Sequence, residues 1–457
     1  MYRQLITAFL CGVAFCQSNR GYDAVPSPQV AQIEVGRTGA INQVSNTDVL
    51  IRTLQEQVKA HPQDASPYDR LGAAYFQKAR ETGDIEYYEL AKKALAQSIE
   101  FAGRSSRAAD PFVHMSLVYM GEHRFDDALG CAQRAMATGA GNLQALAIAG
   151  DAYTDKGDYE QAAAAYAKLQ MLGDETSSPL AVTYMHDSRA AFLDFVNGDP
   201  PTAIGKMKSA IVAALQLNAS GENLAWLYYE LGERSFQAGD IADAEKSYEA
   251  GIKASPHHYR SLAGLAKVRA AQGHYEEAAK LYDASIAVIP MPQYIAELGD
   301  LYEKMGRVAD AQRQYDLVEY IAYISKLNAE LNNRELAQFY ADREIKLDEA
   351  LNLAKAEFAV RHDIYTWDTL AWAQYKNHQP AAAEESMKQA LRLHTADPVL
   401  FFHAGMIYHS VGDELKAEEY LERALAINPR FHVLHADEAT RTLAEIARTR
   451  TMRSSNE

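Results

Sequence analysis

The sequence is poor in cysteine. It has three cysteines among 457 residues, and two of them, Cys11 and Cys16, lie within the first 16 residues. Cys131 stands alone in the rest of the chain, so no framework of intrachain disulfides can form there. It lies in an alanine-rich segment, where a small thiol packs like an apolar side chain. The cysteine content therefore excludes a small disulfide-stabilised fold.

The sequence also lacks an excess of basic residues. It has 45 Lys and Arg against 61 Asp and Glu, which gives a formal net charge of −16 and a pI of about 5.4. This balance argues against binding to the phosphate backbone of a nucleic acid. An acidic surface is compatible with a cationic partner, and it equally serves solubility.

Catalytic motifs are missing as well. The chain has no HExxH, CxxC, Walker or GxSxG sequence, and the glycines of residues 138–141 (TGAG) form too short a loop to bind a phosphate. We therefore predict a protein that is not an enzyme and that uses no cofactor or metal.

What the sequence does contain is one pattern written twice in residues 363–431. The two copies are offset by 34 residues, as from Trp367 to Phe401. The first copy is carried by Trp367, Leu370, Ala371, Ala383, Met387 and Ala390. The second copy is carried by Phe401, Ala404, Gly405, Tyr408, Ala417, Leu421, Ala424 and Pro429. Weaker copies precede them from Tyr68 onwards, so the pattern predicts a stack of repeated units.

This pattern resembles the tetratricopeptide repeat (TPR) family, which has a 34-residue period with small residues in both helices and a closing proline. The resemblance implies an all-α fold, a TPR α-solenoid in which antiparallel helix pairs form a right-handed superhelix. Small residues such as Gly405 and Ala417 let the two helices of a unit approach to roughly 8–10 Å. We predict about ten repeats at 46–446 with a capping helix at each end, and a frayed tail at 447–457.

Four segments narrow the resemblance to a group of exported bacterial TPR proteins. They are RETGDIEYY, NRELAQFYADRE, DIYTWDTLAWAQYK and FFHAGMI. The similarity covers nearly all of the chain after its first residues. It implies a bacterial envelope setting but no particular activity.

The first residues have the pattern of an export signal. Arg3 is followed by an apolar run at 5–16 and then by polar residues, and this run is too short to span a bilayer. We predict a signal peptide at 1–16, cut after Cys16. Alternatively, residues 13–16 resemble a lipobox with Cys16 as the lipid-bearing residue, although Phe15 departs from the small residue of that motif. Residues 17–45 predict a flexible tether, and the protein is then periplasmic, outer-membrane-associated or secreted. A cytoplasmic adaptor with a misassigned start remains the alternative.

The TPR resemblance implies a concave groove, lined by the first helix of each repeat, that binds a protein or peptide. Alignment of the repeats predicts these groove residues: Asp151, Asp155, Trp226, Tyr229, Glu230, Glu233, Asp300, Tyr365, Asp368, Trp372, Tyr375, Phe402, His403, Met406 and His409. Acidic residues beside aromatic ones suit a partner with basic or apolar anchors. Carboxylate-clamp TPR domains use Lys, Arg and Asn here, whereas only Arg260 and Lys267 are basic, which disfavours a receptor for chaperone tails.

Two other functions stay open. One is self-assembly, in which the edges of the solenoid join copies of this chain into a homo-oligomer. The other is a metal-dependent enzyme that uses the histidines at 403, 409, 432 and 435, completed by Asp437 or Asp413. His432 and His435 are three residues apart and share a helical face, whereas His403 and His409 are six apart and do not. The sequence favours the partner-binding scaffold.

Overall fold

The computed structural model describes residues 46–103, 109–138, 143–173, 178–327 and 333–454. The predicted signal peptide, Cys16 and the predicted tether lie outside these residues. Within them the chain forms 22 α-helices and no strand: α1 (Asn46–Ala60), α2 (Ala65–Thr82), α3 (Glu86–Ala102), α4 (Ala109–Gly121), α5 (Phe125–Thr138), α6 (Leu143–Lys156), α7 (Tyr159–Gly173), α8 (Pro179–Val196), α9 (Pro200–Gln216), α10 (Gly221–Gln237), α11 (Ile241–Ala254), α12 (Tyr259–Ala271), α13 (Tyr275–Val288), α14 (Pro292–Lys304), α15 (Val308–Leu327), α16 (Asn333–Asp342), α17 (Leu347–Phe358), α18 (Ile364–Lys376), α19 (Pro380–Ala390), α20 (Pro398–Ser410), α21 (Glu414–Ile427) and α22 (His435–Ser454). The all-α prediction is confirmed.

Helices α2 to α21 form ten consecutive pairs in the described ranges, and α1 and α22 stand outside the pairs. We number the pairs as repeats one to ten, and we call the first helix of each pair its inner helix. The closing helix α22 continues to Ser454. Of the residues in the predicted frayed tail at 447–457, those at 447–454 belong to this helix.

The helices belong to two compact units, residues 46–149 and residues 150–454 of the described chain, which divide within α6. The first unit is built on α1 to α5, with Leu54 and Leu95 fully buried. A half-buried pair joins its first two repeats, since His114 Nδ1 lies 2.6 Å from Asp69 Oδ1. The second unit contains the rest of α6 and helices α7 to α22, and it holds every predicted groove residue.

Glycines let the two helices of a repeat cross closely, as the spacing predicts. A Cβ atom on Gly405 would lie 2.5 Å from Leu421 Cγ and 3.2 Å from the Ala417 carbonyl oxygen. In repeats three, five and seven the residue opposite the glycine is a tyrosine. The corresponding closest approaches are 2.2 Å for Gly150 to Tyr166, 2.5 Å for Gly232 to Tyr248 and 2.3 Å for Gly299 to Tyr315.

The second unit also closes on itself, through contacts between repeats that are far apart in sequence. The turns inside repeats three, four and five approach the loops that follow repeats eight, nine and ten. Each of these turns has a glycine with φ between 82° and 84°, and its added Cβ would meet a backbone oxygen. The approaches are 2.5 Å for Gly157 to His362 O, 2.8 Å for Gly198 to His394 O and 2.0 Å for Gly239 to Ile427 O.

Hydrogen bonds accompany each of the three approaches. They are His362 N to Lys156 O at 3.0 Å, Thr395 Oγ1 to Val196 O at 2.5 Å and Asn428 Nδ2 to Phe236 O at 2.9 Å. Further along, Arg430 Nη1 donates to Ala271 O at 2.5 Å, and Lys304 pairs with Asp437 of α22. We call these contacts between residues 156–304 and residues 362–437 the seam.

Closure leaves the inner helices of the second unit buried on nearly every side. In α20 all the residues from Pro398 to Tyr408 are buried. A helix that is apolar all round belongs in the interior of a protein, and here the interior is made by the repeats across the seam. No helix in the described ranges is both long and apolar enough to cross a bilayer.

Candidate functional site

The seam determines how accessible the predicted groove is. Eleven of its fifteen residues are buried, and the other four are half-buried. The buried ones are Asp151, Asp155, Trp226, Glu233, Asp300, Tyr365, Asp368, Trp372, Phe402, His403 and Met406. Tyr229, Glu230, Tyr375 and His409 are half-buried. A partner can therefore reach only these four without moving the repeats apart.

The buried acidic groove residues bind groups of the chain itself. Asp151 Oδ1 accepts from Arg189 Nε at 3.1 Å and from Tyr166 OH at 2.8 Å. Burial raises the pKa of Asp151 to about 7, against the attraction of Arg189. Glu233 Oε1 accepts from Tyr248 OH and from Lys267 Nζ, both at 2.6 Å. These carboxylates already pair with cations and hydroxyl groups of the chain, whereas the sequence predicted that a basic anchor of the partner would pair with them.

One contact recurs in three repeats and was missed by the sequence reasoning. A tyrosine in the second helix donates to a carboxylate 15 residues earlier, in the inner helix. The pairs are Tyr166 with Asp151 at 2.8 Å, Tyr248 with Glu233 at 2.6 Å and Tyr315 with Asp300 at 2.8 Å. The constant spacing is visible in the sequence, so this signal was available.

We call the four half-buried groove residues the rim: Tyr229, Glu230, Tyr375 and His409. Tyr229 and Glu230 lie on α10, where Glu230 Oε2 accepts from Arg234 Nη2 at 2.8 Å. Tyr375 of α18 and His409 of α20 occupy the same position of adjacent repeats, 34 residues apart. His409 Nδ1 lies 2.8 Å from Glu414 Oε2.

Three of the four candidate histidines come together, and one does not. The ring centroids of His432 and His435 are 4.2 Å apart, and those of His403 and His435 are 6.3 Å apart. His409 is paired with Glu414 elsewhere. The acid that lies beside two of them, His403 and His435, is Asp342 at the end of α16, a residue that the sequence reasoning did not consider.

The two acids that were considered have other partners. Asp437 pairs with Lys304 across the seam, and Asp413 caps α21 by accepting from Lys416 N at 3.2 Å. Asp342 escaped notice because it lies 61 residues before His403, and only the packing of α16 against α18 and of α18 against α20 brings the two into one neighbourhood.

Outer partners hold the cluster in place. His403 Nδ1 lies 2.9 and 3.0 Å from the two oxygens of Asp368, and Trp372 Nε1 donates to Asp342 Oδ1 at 2.7 Å. His435 Nε2 is 3.7 Å from that same Asp342 oxygen, which is too far for a hydrogen bond. Burial, with His432 and His403 close by, lowers the pKa of His435 well below its usual value. Burial raises the pKa of Asp342, against the attraction of His403.

A small cavity of about 30 Å³ lies beside this cluster, on the seam. Its polar lining includes Lys267, Tyr282, Glu297 and His432, and Tyr282 OH donates to Glu297 Oε2 at 2.9 Å. This volume holds one or two water molecules.

The comparisons with known proteins agree with this repeat architecture. One tetratricopeptide repeat family model matches residues 115–177 and 229–290, and a second matches residues 399–431. No curated protein sequence matches the chain.

Among solved structures, the chain is similar to yeast Tom70 at 12% identity, over 89% of this chain and 93% of that one, with a TM-score of 0.41. It is similar to a tetratricopeptide repeat protein from Parabacteroides merdae at 16% identity, over 58% and 99%, with a TM-score of 0.33. The Cut9–Hcn1 hetero-tetramer of APC/C matches at 14% identity, over 88% and 90%, with a TM-score of 0.31. These likenesses are too distant to say anything about function.

The assignment to this family is based on the matched segments and on the geometry of the repeats. The described ranges contain ten helix pairs, and a glycine lies at the helix crossing of repeats three, five, seven and ten. Proteins of this fold are generally scaffolds rather than catalysts. This chain is a tetratricopeptide repeat protein with an all-α solenoid fold.

Proposed function

We propose that the chain is a non-catalytic scaffold that binds a partner protein through the rim of its predicted groove. The observation that carries this proposal is the alignment of Tyr375 and His409. They occupy equivalent positions of adjacent inner helices, 34 residues apart, and both are half-buried near the ends of helices whose other residues are mostly buried. Such a pair presents two polar aromatic groups in register, which suits an extended or helical peptide.

The surroundings of the rim favour a basic or apolar anchor on the partner. Glu414 lies beside His409, and the negative charges of Glu438 and Glu344 act on Tyr375. Lys376 is the neighbouring cation, and it pairs with Glu344 at 2.8 Å. With a formal net charge of −16, the chain also attracts basic segments over longer distances.

Site-specific photo-crosslinking tests the rim. A photoreactive phenylalanine analogue would replace Tyr375 in full-length chains, and a second preparation would carry it at Tyr320, whose side chain is 62% exposed on α15. We expect position 375 to crosslink one discrete protein of the native host that position 320 does not. Equal crosslinking at both positions, or none at position 375, would overturn the proposal.

A second candidate is self-assembly, because several large apolar side chains are exposed on outer helices. Val308 is 71% exposed, Leu415 75% and Tyr323 60%, and exposed apolar surface often marks a contact between proteins. Light scattering distinguishes this candidate, since self-assembly predicts a mass above 50.6 kDa that rises with concentration. A crosslink from position 320 to a second copy of the chain would support it.

We also propose that the chain is exported and acts in a bacterial envelope complex. The support is the pattern of residues 1–16 and the resemblance to exported proteins. N-terminal sequencing of the full chain from a Gram-negative host should find a mature end at Gln17, or a lipid on Cys16. An unprocessed Met1 in the cytosolic fraction would contradict export while leaving the scaffold proposal standing.

A further inference from the structure

Three ligand groups converge where α16, α20 and α22 meet. One ligand atom from each of Asp342, His403 and His435 lies within 4.8 Å of the other two. They belong to repeat eight, repeat ten and the closing helix. Two imidazoles and a carboxylate form a donor set that divalent transition metals favour. We propose that Asp342, His403 and His435 bind one such ion, Zn²⁺ being the commonest, and that the ion fixes α22 to the repeats.

The spacing of the atoms suits one ion better than a hydrogen bond. Zinc lies about 2.0–2.2 Å from nitrogen and carboxylate ligands, so two tetrahedral ligands are separated by roughly 3.3–3.6 Å. His435 Nε2 and Asp342 Oδ1 are 3.7 Å apart. All three ligand atoms lie within 4.8 Å of one another, so no separation has to close by more than roughly 1.2–1.5 Å to reach zinc geometry, which rotation of the side chains provides.

The tautomer of His403 leaves its Nε2 atom able to bind a metal ion. Asp368 only accepts hydrogen bonds when ionised, so the Nδ1 atom that lies 2.9 Å from it carries the proton. The lone pair of His403 is then on Nε2, which is the atom left for a metal. A carboxylate that fixes the tautomer of a histidine ligand is a recurrent feature of zinc sites.

The carboxylate ligand is oriented in the same way. Trp372 Nε1 donates to Asp342 Oδ1 at 2.7 Å, and the Trp372 ring stacks on His403 with centroids 4.1 Å apart. His435 is held between Phe402 and His432, at centroid distances of 4.7 and 4.2 Å. All three ligands are therefore positioned by packing before any ion binds.

His432 has a different task. Its Nδ1 accepts from Leu434 N at 3.2 Å and from His435 N at 3.3 Å, so it caps the start of α22. Its Nε2 lies 3.3 Å from Asp300 Oδ2. The protein set is thus three ligands, and a water molecule completes the coordination. An ion can enter because the side chains of Asp342 and His435 are 14% and 11% exposed.

Metal titration of the full chain tests the site. The protein carries a C-terminal tag without histidines, is stripped with a chelator, and is titrated with Zn²⁺ and with Co²⁺, whose visible absorption reports imidazole coordination. We expect one equivalent per chain. Asp342→Asn keeps the acceptor of Trp372 but loses the charge, and it should weaken binding by at least about 100-fold, as should His435→Gln. Asp368→Asn should weaken it by about 10- to 100-fold.

Matched controls separate this site from general metal affinity. His409→Gln removes a histidine paired with Glu414, and Asp437→Asn removes an exposed acid of α22; neither should change affinity. Substoichiometric binding, or equal losses in the controls, would overturn the site. Circular dichroism confirms that each variant is folded.

Hydrogen exchange tests the role of the ion. Zn²⁺ should slow amide exchange in α22 of the wild-type protein and leave it unchanged in Asp342→Asn. Stoichiometric binding without slower exchange in α22 would refute the fixing role. The site does not depend on the proposed partner, so the crosslinking at Tyr375 and these titrations can fail separately.

Discussion

At the scale of the residue, Asp363 shows how one side chain serves two structural roles. Its Oδ1 caps α18 by accepting from Tyr365 N at 2.9 Å and Thr366 N at 3.2 Å. Its Oδ2 accepts from Arg334 Nη2 at 2.6 Å. Burial alone would raise the pKa of Asp363, but Arg334 and Arg361 outweigh it and lower that pKa to about 2.

The charge of Asp363 should therefore matter more than its capping role. Asp363→Asn keeps a good cap but leaves Arg334 buried without its counter-ion, and we expect the free energy of unfolding to fall by about 3–5 kcal/mol. Asp413→Asn, at the exposed cap of α21, should change it by less than about 0.5 kcal/mol. Urea denaturation of both variants measures the difference, and equal effects would contradict the account.

The pairing of Asp363 with Arg334 also predicts that the free energy of unfolding decreases at low pH. The folded pKa of Asp363 lies below its usual value of 3.8, so the ionised form stabilises the fold above pH 3.8. That contribution is lost as the pH falls from 3.8 towards 2. Between these values the wild type should lose stability more steeply than Asp363→Asn, in urea titrations at stepped pH. Parallel curves would contradict the assigned pKa.

The sequence predicts where each groove residue lies within its repeat, but it does not predict whether that residue is exposed to solvent. The position of Asp151 or Asp368 within its repeat can be read from the 34-residue spacing. Whether that position faces solvent depends on Arg189 and His403, which are 38 and 35 residues away. Such partners determine whether a residue is buried, and the repeat spacing does not predict which residues they are.

At the scale of the element, helix crossing sets which glycines are required. Gly405 lies in α20 and would place a Cβ 2.5 Å from Leu421 Cγ, whereas Gly205 lies in α9 with nothing within 4 Å. Gly405→Ala should reduce the free energy of unfolding by about 1–3 kcal/mol through overpacking. Gly205→Ala should raise it by about 0.5–1 kcal/mol, because alanine favours the helix. Equal changes of one sign in thermal denaturation would contradict this.

The helices themselves were the most predictable level. A start at Asn46, the ten pairs and a closing helix all follow from periodicity and capping signals, because each repeat is a local unit. Residues 80–88 make repeat one longer than the usual spacing, and they contain its turn, because α2 ends at Thr82 and α3 begins at Glu86. The extra residues lengthen both helices, and the loop between the helices stays short.

At the scale of the whole molecule, the seam gives two glycines different surroundings, although their sequence context predicts the same turn for both. Gly239 and Gly273 both end a first helix with φ near +80°, at 82° and 84°. A Cβ on Gly239 would lie 2.0 Å from Ile427 O, whereas one on Gly273 meets nothing within 4 Å. In sequence both predict a turn, since the left-handed conformation favours glycine.

This pair isolates the contribution of the seam. Gly273→Ala should cost about 1–2 kcal/mol of unfolding free energy, the strain of alanine in the left-handed region. Gly239→Ala should cost about 1–3 kcal/mol more, because it also forces the backbone across the seam to move. Urea denaturation of the two variants gives the difference directly, and equal losses would show that repeats five and ten do not meet.

Zero-length crosslinking of Lys304 to Asp437 tests the closed second unit most directly. These residues pair across the seam although they are 133 residues apart. Lys376 and Glu344, in adjacent repeats at 2.8 Å, provide the positive control. Closure predicts that carbodiimide joins both pairs within one chain at high dilution, and that Lys304→Arg removes only the seam crosslink. If mass spectrometry finds the control crosslink but no link between Lys304 and Asp437, the inner helices face an open groove and the account is wrong.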